Sequence, residues 1–358
     1  MTNRKASHPL IIAGPCSVET EEQVRRTAAA LHATGRVDIF RAGIWKPRTR
    51  PNMFEGVGYV GLEWLRQVKL EFGFPIAVEV AHARHVHEAL KWGIDVLWIG
   101  ARTTVNPFAV QEIVDALKGV STTLWIKNPV NADLELWLGA LERAERAGIR
   151  HLGAIHRGFS GYPKSVYRNW PLWDLPLELR RRVPDLPLYC DPSHICGTRD
   201  TIREVARKAL DLQYDGLMIE SHICPDEAWS DAQQQLTPAD LSTVLERLLH
   251  REQGNLEPLE ELRSKIDRLD RELLNLLAER MAVAESIGLE KLVHHLDAHQ
   301  PERWQEALQD RLLEARERNL GQEFVERLFA VIHHESVVRQ QEMMRKKQQL
   351  SEMEKVSE

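Results

Sequence analysis

The hydrophobic positions of this 358-residue chain follow two different rhythms. Up to about residue 250, short apolar runs rich in β-branched side chains alternate with stretches whose apolar residues recur every three or four positions. The runs predict strands at Leu10–Ala13, Ile39–Gly43, Ile76–Val80, Val96–Gly100, Thr123–Lys127, Leu152–Ile155, Leu186–Asp191 and Gly216–Ser221. The stretches between them predict amphipathic helices at Thr20–Ala33, Gly61–Phe72, Ala83–Trp92, Pro107–Leu117, Ala132–Ala147 and Arg199–Leu210. Eight strands alternating with helices over roughly 250 residues match the size of a (β/α)8 TIM barrel. A doubly wound open sheet is the competing α/β architecture, because strand count alone does not show closure. Phe159–Pro184, with four prolines, predicts a long irregular loop.

The pattern changes at residues 251–258, where Gly254 and Pro258 punctuate and strand signals stop. Leu259, Leu262, Ile266, Leu269, Leu273, Leu276, Val283 and Ile287 then fall at helical spacing. Two more helices are predicted at Pro301–Arg318 and Gln322–Met344, separated by the Asn319-Leu320-Gly321 stop. The polar tail Arg345–Glu358 predicts fraying. The organisation expected is a barrel over 1–250, a linker over 251–257 and an all-α three-helix domain over 258–358. Three helices of this length rarely bury their stripes alone, so the domain is expected to dimerise.

Composition narrows the class. With 43% hydrophobic and 28% charged residues the chain reads as a globular protein, and its net charge of -6 argues against a general nucleic-acid binder. No apolar run reaches the ~18 residues of a membrane span, and Leu10–Ala13 is too short for a signal-peptide core. Four cysteines in a chain this long form no disulfide framework, which suggests a reduced, cytoplasmic protein.

Against that acidic background, "FRAGIWKPRTRP" (residues 40–51) holds Arg41, Lys46, Arg48 and Arg50 in one loop, stiffened by Pro47 and Pro51. In a barrel, function sits on the loops after the strands. Chemically capable residues recur there: Cys16, the 40–51 loop, Glu79, Arg102, Lys127, His156-Arg157, Asp191 with His194, and Glu220 with His222, followed by Asp231. Arg41, Lys46, Arg48, Arg102, Lys127 and Arg157 are more cations than one phosphate needs, which suggests more than one anion. Cys16, His194, Glu220 and Asp231 form a thiol, imidazole and carboxylate set suited to a divalent transition metal. Taken singly each has a plainer reading: a buried Cys is commonly core, a loop Arg solvated, a carboxylate at a strand end a helix cap. Their placement at one barrel face favours the functional reading.

"AGPCSVET", "RAGIWKPRT", "GAR", "IKNP", "HRG", "DPSH" and "IESHICPDEAWSDAQQQL" together resemble the 3-deoxy-D-arabino-heptulosonate 7-phosphate (DAHP) synthase family, in its short type I form, over about residues 8–250. The resemblance implies condensation of phosphoenolpyruvate with erythrose 4-phosphate, the entry step of the shikimate route to aromatic amino acids. It also implies a divalent cofactor (Mn2+, Fe2+, Co2+ or Zn2+) on Cys16, His194, Glu220 and Asp231. Arg41, Lys46, Arg102, Lys127 and Arg157 would bind phosphoenolpyruvate, while Pro47, Arg48 and Thr49 would bind the sugar phosphate. Lys46 is the first choice for proton transfer. The octulosonate 8-phosphate synthases resemble the barrel too, but carry Lys-Ala-Asn where this chain has Lys46-Pro47-Arg48, which favours the four-carbon acceptor. "GARTTVN" and His156 depart from the usual pattern. A metal-dependent aldolase or hydrolase acting on another sugar phosphate is the remaining reading of the barrel.

In the helical segment the stripe meets Arg280 between Leu276 and Val283, a cation that is either paired or snorkelling at a rim. "LRSKIDRLDRELLNLLAERMAVAESIGLEK" and "HESVVRQQ" resemble the all-helical chorismate mutase family over about residues 257–344. That resemblance implies an intertwined homodimer that rearranges chorismate to prephenate. Arg280, Arg303, Lys291, Gln300, Ser336 and Gln340 would bind substrate, and Arg263 would enter the partner chain's site. Arg280, Lys291 and Gln340 are the expected catalytic groups. Gln300 and Trp304 replace residues that are usually acidic. Two functional expectations follow: a bifunctional enzyme with feedback by prephenate or chorismate through the helical domain, or a synthase whose helical domain only regulates and dimerises.

Overall fold

Strands β1 (Leu10–Gly14), β2 (Ile39–Ala42), β3 (Ile76–Val80), β4 (Val96–Ile99), β5 (Thr123–Lys127), β6 (His151–His156), β7 (Leu188–Cys190) and β8 (Gly216–Glu220) are all parallel and pair in sequence order. β8 returns to β1 in the register Leu10↔Gly216 to Gly14↔Glu220, closing the barrel and ruling out the open sheet. The computed structural model describes residues 8–48, 52–161, 166–249 and 257–356, with 249, 257–261 and 350–356 by backbone alone. Thr49, Arg50, Pro51 and most of the expected linker (251–256) lie outside the described residues.

Alternation along the strands divides the apolar residues into two cores. Ile12, Ile39, Ala77, Val96, Trp98, Trp125, Ile155, Tyr189 and Met218 fill the barrel interior. The other parity, including Ile11, Ala13, Phe40, Val78, Leu97, Ile126 and Leu217, packs outward under the helices. Three of the helices carry side-chain N-caps of the expected type: Thr20 accepts from the Gln23 N–H, Asn106 from Phe108 and Ala109, and Asp133 from Leu136.

Phe159–Pro184 is not one long loop. It contains a helix, Asp174–Arg182, whose Pro176 sits in the first turn, where a missing N–H costs nothing. Glu178 ties that helix internally to Arg181 and Arg182. Short helices at Ala101–Thr104 and Pro192–Cys196, and the closing helix Pro238–Leu249, also went unpredicted.

The chain divides into two compact units, Met1–Glu252 and Gln253–Glu358. The second unit consists of helices Glu257–Val293, Pro301–Glu317 and Gln322–Val356. Its last helix runs to Val356 rather than fraying from Arg345, because the polar tail is built of Glu, Gln, Lys, Arg and Met, all good helix formers. Leu262, Ile266, Leu269, Leu273, Leu276, Val283 and Ile287 stay exposed along the first of these helices, at 44–61%. Among the described residues no helix is long and apolar enough to cross a membrane.

Candidate active site

The parity that fills the barrel also builds its mouth. Seven of the eight inward-facing rows end, at the C-terminal end of the strand, in a group with chemistry: Ile12–Gly14–Cys16, Ile39–Arg41, Ala77–Glu79, Trp125–Lys127, Ile155–Arg157, Tyr189–Asp191 and Met218–Glu220; the β4 row, Val96–Trp98, ends in Gly100. His156 has the opposite parity and faces the helix layer. Its Nε2–H donates to the Pro171 carbonyl at 2.6 Å and Nδ1 accepts from the Tyr214 hydroxyl at 3.0 Å. Burial pushes its pKa down to about 3, so it is a neutral packing residue rather than part of the mouth.

The expected metal ligands come together in two pairs. The Cys16 thiol donates to Asp231 Oδ2 at 3.2 Å, and His194 Nε2 lies 3.8 Å from Glu220 Oε1. Among the described residues no group of three such side chains is gathered tightly enough to hold a metal ion. The donor set nevertheless suits one. Glu220 Oε1 is buried and, among the described residues, accepts no hydrogen bond. Asp191 accepts from His194 Nδ1 at 2.8 Å, which fixes the tautomer and leaves Nε2 facing the carboxylate. Burial, then Glu220, push the Cys16 thiol up to about 12, so only a strong cation would draw a thiolate from it. Burial works against charge on Glu220, but His194, Arg41 and Lys46 outweigh it and keep its pKa below the usual range.

The cations surround this set. Lys46 Nζ donates to the Cys16 carbonyl at 2.7 Å and to Sγ at 2.8 Å. Gly43 permits that approach, since a Cβ there would lie 2.3 Å from the Cys16 carbonyl oxygen. Arg41 is buried, with Nη2 3.3 Å from Glu220 Oε1 and its guanidinium 5.1 Å over the Trp98 ring. Among the described residues its Nε and Nη1 have no hydrogen-bond partner. Lys127 pairs with Asp191 at 2.7 Å. Arg157 donates to Asn169 Oδ1 at 2.7 Å, and burial lowers its pKa to about 10, with Arg102 among the charges that add to the effect. Arg102 lies on the Ala101–Thr104 helix. Arg48 donates to the Phe54 carbonyl at 2.9 Å and reaches Asp231 Oδ2 at 3.5 Å, beside half-buried Pro47.

In the helical unit Arg280 is paired rather than snorkelling: it donates to the buried Ser336 hydroxyl. Lys291 Nζ holds the Ala298 carbonyl at 2.7 Å, and Gln340 is buried with Oε1 unpartnered. The other expected residues are not gathered here. Gln300 is the exposed N-cap of its helix and makes no side-chain cap bond, and Arg303 is exposed and turned to Glu306 at 3.3 Å. Arg263 lies 17 positions before Arg280 on the same helix, about 25 Å along its axis. The structure adds Arg311 and His333, unmarked in the sequence. His333 stacks 4.1 Å from the Trp304 ring; its pKa is lowered by burial first, then by His299, Arg280, Lys291 and Arg311.

The family model of DAHP synthetase I matches residues 3–254. The chain belongs to the DAHP synthetase I family. The chorismate mutase type II model matches residues 262–341, so two enzyme-family domains share one chain. A phospho-2-dehydro-3-deoxyheptonate aldolase of Thermotoga maritima is 30% identical over 226 residues, which span 63% of this chain and 64% of that relative. A 2-dehydro-3-deoxyphosphooctonate aldolase of Wolinella succinogenes is 28% identical over 67% of this chain and 98% of its own. A crystal structure of the Thermotoga DAHP synthase aligns with a TM-score of 0.60 at 28% identity, covering 67% of each chain. Within this DAHP synthetase fold the structure adds Arg168 and Asn169, which stand outside every sequence motif, and gives a partner, Glu220, to Gln234 of the "IESHICPDEAWSDAQQQL" motif. Arg168 and Asn169 meet Asp231 and His194, 63 and 25 residues further along the chain, so no local pattern marks them.

Proposed function

We propose that the barrel condenses phosphoenolpyruvate with erythrose 4-phosphate, releasing phosphate, and that the helical unit rearranges chorismate to prephenate. The observation that carries the first part is buried Arg41, whose two unpartnered donors lie beside the Cys16, His194, Glu220 and Asp231 set. Arg41, Lys127, Arg102 and Arg157 bind the carboxylate and phosphate of phosphoenolpyruvate and hold them against mutual repulsion with the second anion. Lys46 moves a proton near the reacting carbon, and its position is set by its two contacts to Cys16. Arg48, Pro47 and Thr49 bind the four-carbon sugar phosphate. Cys16, His194, Glu220 and Asp231 would hold a divalent ion (Mn2+, Fe2+, Co2+ or Zn2+), which when bound supplies Lewis-acid polarisation of the acceptor aldehyde.

In the helical unit Arg280, Lys291 and Gln340 stabilise the charge that develops on the breaking ether oxygen, with Ser336, Gln300 and Arg303 as further contacts. The exposed leucine stripe supports a homodimer in which the partner's Arg263 completes each site. Prephenate, binding the helical unit, is the proposed feedback inhibitor of the synthase, and the cytoplasm is the proposed location. A second reading makes the helical unit a regulatory and dimerisation module without catalysis; Arg303, paired with Glu306, favours it.

The test is phosphate release by purified full-length chain. It should require phosphoenolpyruvate and erythrose 4-phosphate together and fail with arabinose 5-phosphate as acceptor. Release from either substrate alone would contradict the synthase reading. Consumption of chorismate by the same sample separates the two readings of the helical unit.

A further inference from the structure

Two side chains at the barrel mouth, Arg168 and Gln234, have no part in the reaction as set out above, yet they connect its two carboxylates. Arg168 follows β6 in the chain, and its backbone N–H donates to the Cys196 carbonyl at 3.1 Å. Its stem crosses Gly197, where φ is +73° and a Cβ would come 2.5 Å from that of Arg168. Nη1 then donates to both Asp231 Oδ1 and Gln234 Oε1, each at 2.8 Å. Gln234 is buried, and its Nε2 donates to Glu220 Oε2 at 2.7 Å. The result is one connected run, Asp231–Arg168–Gln234–Glu220.

Each carboxylate has one oxygen taken by this run and one left over. The remaining Asp231 Oδ2 meets the Cys16 thiol at 3.2 Å, with Arg48 at 3.5 Å. The remaining Glu220 Oε1 faces Arg41 Nη2 at 3.3 Å and His194 Nε2 at 3.8 Å, and among the described residues it accepts no hydrogen bond. The neighbouring Gln235 anchors the thiol's own backbone, accepting from the Cys16 N–H at 2.8 Å. Asp231 stands at φ 49°, a left-handed backbone conformation uncommon outside glycine, asparagine and aspartate.

We propose that Arg168 and Gln234 form a single clamp that selects which oxygen of Asp231 and of Glu220 is presented to a divalent ion. They are positioning residues: neither touches the ion or the substrates. The inference rests on the proposed ligand role of Cys16, His194, Glu220 and Asp231. Residues that orient metal ligands typically contribute about 10- to 100-fold in affinity. Because the clamp is one bonded unit, breaking either half should release both carboxylates.

The test is titration of chelator-stripped full-length chain with Co2+, following the thiolate-to-cobalt charge-transfer band and confirming fold by circular dichroism. Wild type should show the band. Arg168→Met and Gln234→Met should each retain the band but weaken Co2+ binding about 10- to 100-fold. The double variant should be no more than about threefold weaker than the worse single one, as expected of residues acting as a unit. Wild-type affinity in both single variants, or losses that multiply in the double one, would overturn the clamp. Absence of the band in wild type would instead overturn the ligand reading beneath it. Where a methionine variant lost its native spectrum, Arg168→Lys, which keeps the charge but only one reach, should bind Co2+ with intermediate affinity; wild-type affinity there contradicts the clamp.

Discussion

The two units of this chain place their charged groups by different means. In the barrel, closure of eight strands brings the inward end of every strand to one mouth, so Cys16, Arg41, Lys127, Asp191 and Glu220 meet within a single copy. In the helical unit one long helix carries Arg263 and Arg280 too far apart to share a site, and its leucine stripe lies exposed. A closed barrel is its own partner; a three-helix layer is not. The chemistry proposed for the first is therefore complete in one chain, and that proposed for the second requires two.

The largest effect should come from Cys16→Ala. It removes the thiol from the ligand set and one of the two acceptors of Lys46, the other being the Cys16 carbonyl, and should drop synthase turnover below detection while chorismate turnover in the same sample stays within about twofold. Residual synthase activity near wild type would break the assignment. Arg280→Ala is the reciprocal change. Loss of one donor aimed at developing charge typically costs about 100- to 1000-fold, so chorismate turnover should fall by that much with the synthase rate unchanged in the absence of prephenate. Equal losses in both reactions would show that the units do not act separately.

A smaller effect tests the barrel wall itself. His156 is neutral when folded, with its pKa at about 3 against an ordinary 6.5, chiefly because of burial. A depressed histidine contributes stability that is fully present above pH 6.5 and is lost as pH falls toward 3. The unfolding temperature of wild type should therefore approach that of His156→Gln as pH is lowered from 6.5 to 4, closing a gap on the order of a few kcal/mol. A gap that stays constant with pH would mean that folding leaves the histidine's pKa unshifted, contradicting its burial as a neutral ring.

The barrel was readable in the sequence because its signals are local. Each strand is a short, mostly apolar run, and alternation within it decides which residue faces the mouth; the same alternation turns His156 outward although it adjoins Arg157. The helix at Asp174–Arg182 was hidden because the four prolines of its segment read as loop punctuation, while Pro176, the one inside it, sits where a helix accepts one. The clamp was hidden for a different reason. Arg168 and Asp231 are 63 residues apart, and only the folded barrel makes them neighbours. In the helical unit, periodicity marked the helices and the out-of-pattern Arg280, but not Arg311 or His333, which approach Arg280 only through packing of the three helices.

Mixing inactive chains tests the contrast between the units most directly. Arg263→Ala and Arg280→Ala chains, each without mutase activity alone, should be unfolded together, refolded and assayed with chorismate. If each site takes Arg280 from one chain and Arg263 from the other, half the dimers are mixed and hold one intact site of two. Activity should then return to about a quarter of wild type, with synthase activity as in either variant alone. No recovery, in a sample where mixed dimers are demonstrated by mass, would contradict a mutase site built from two chains.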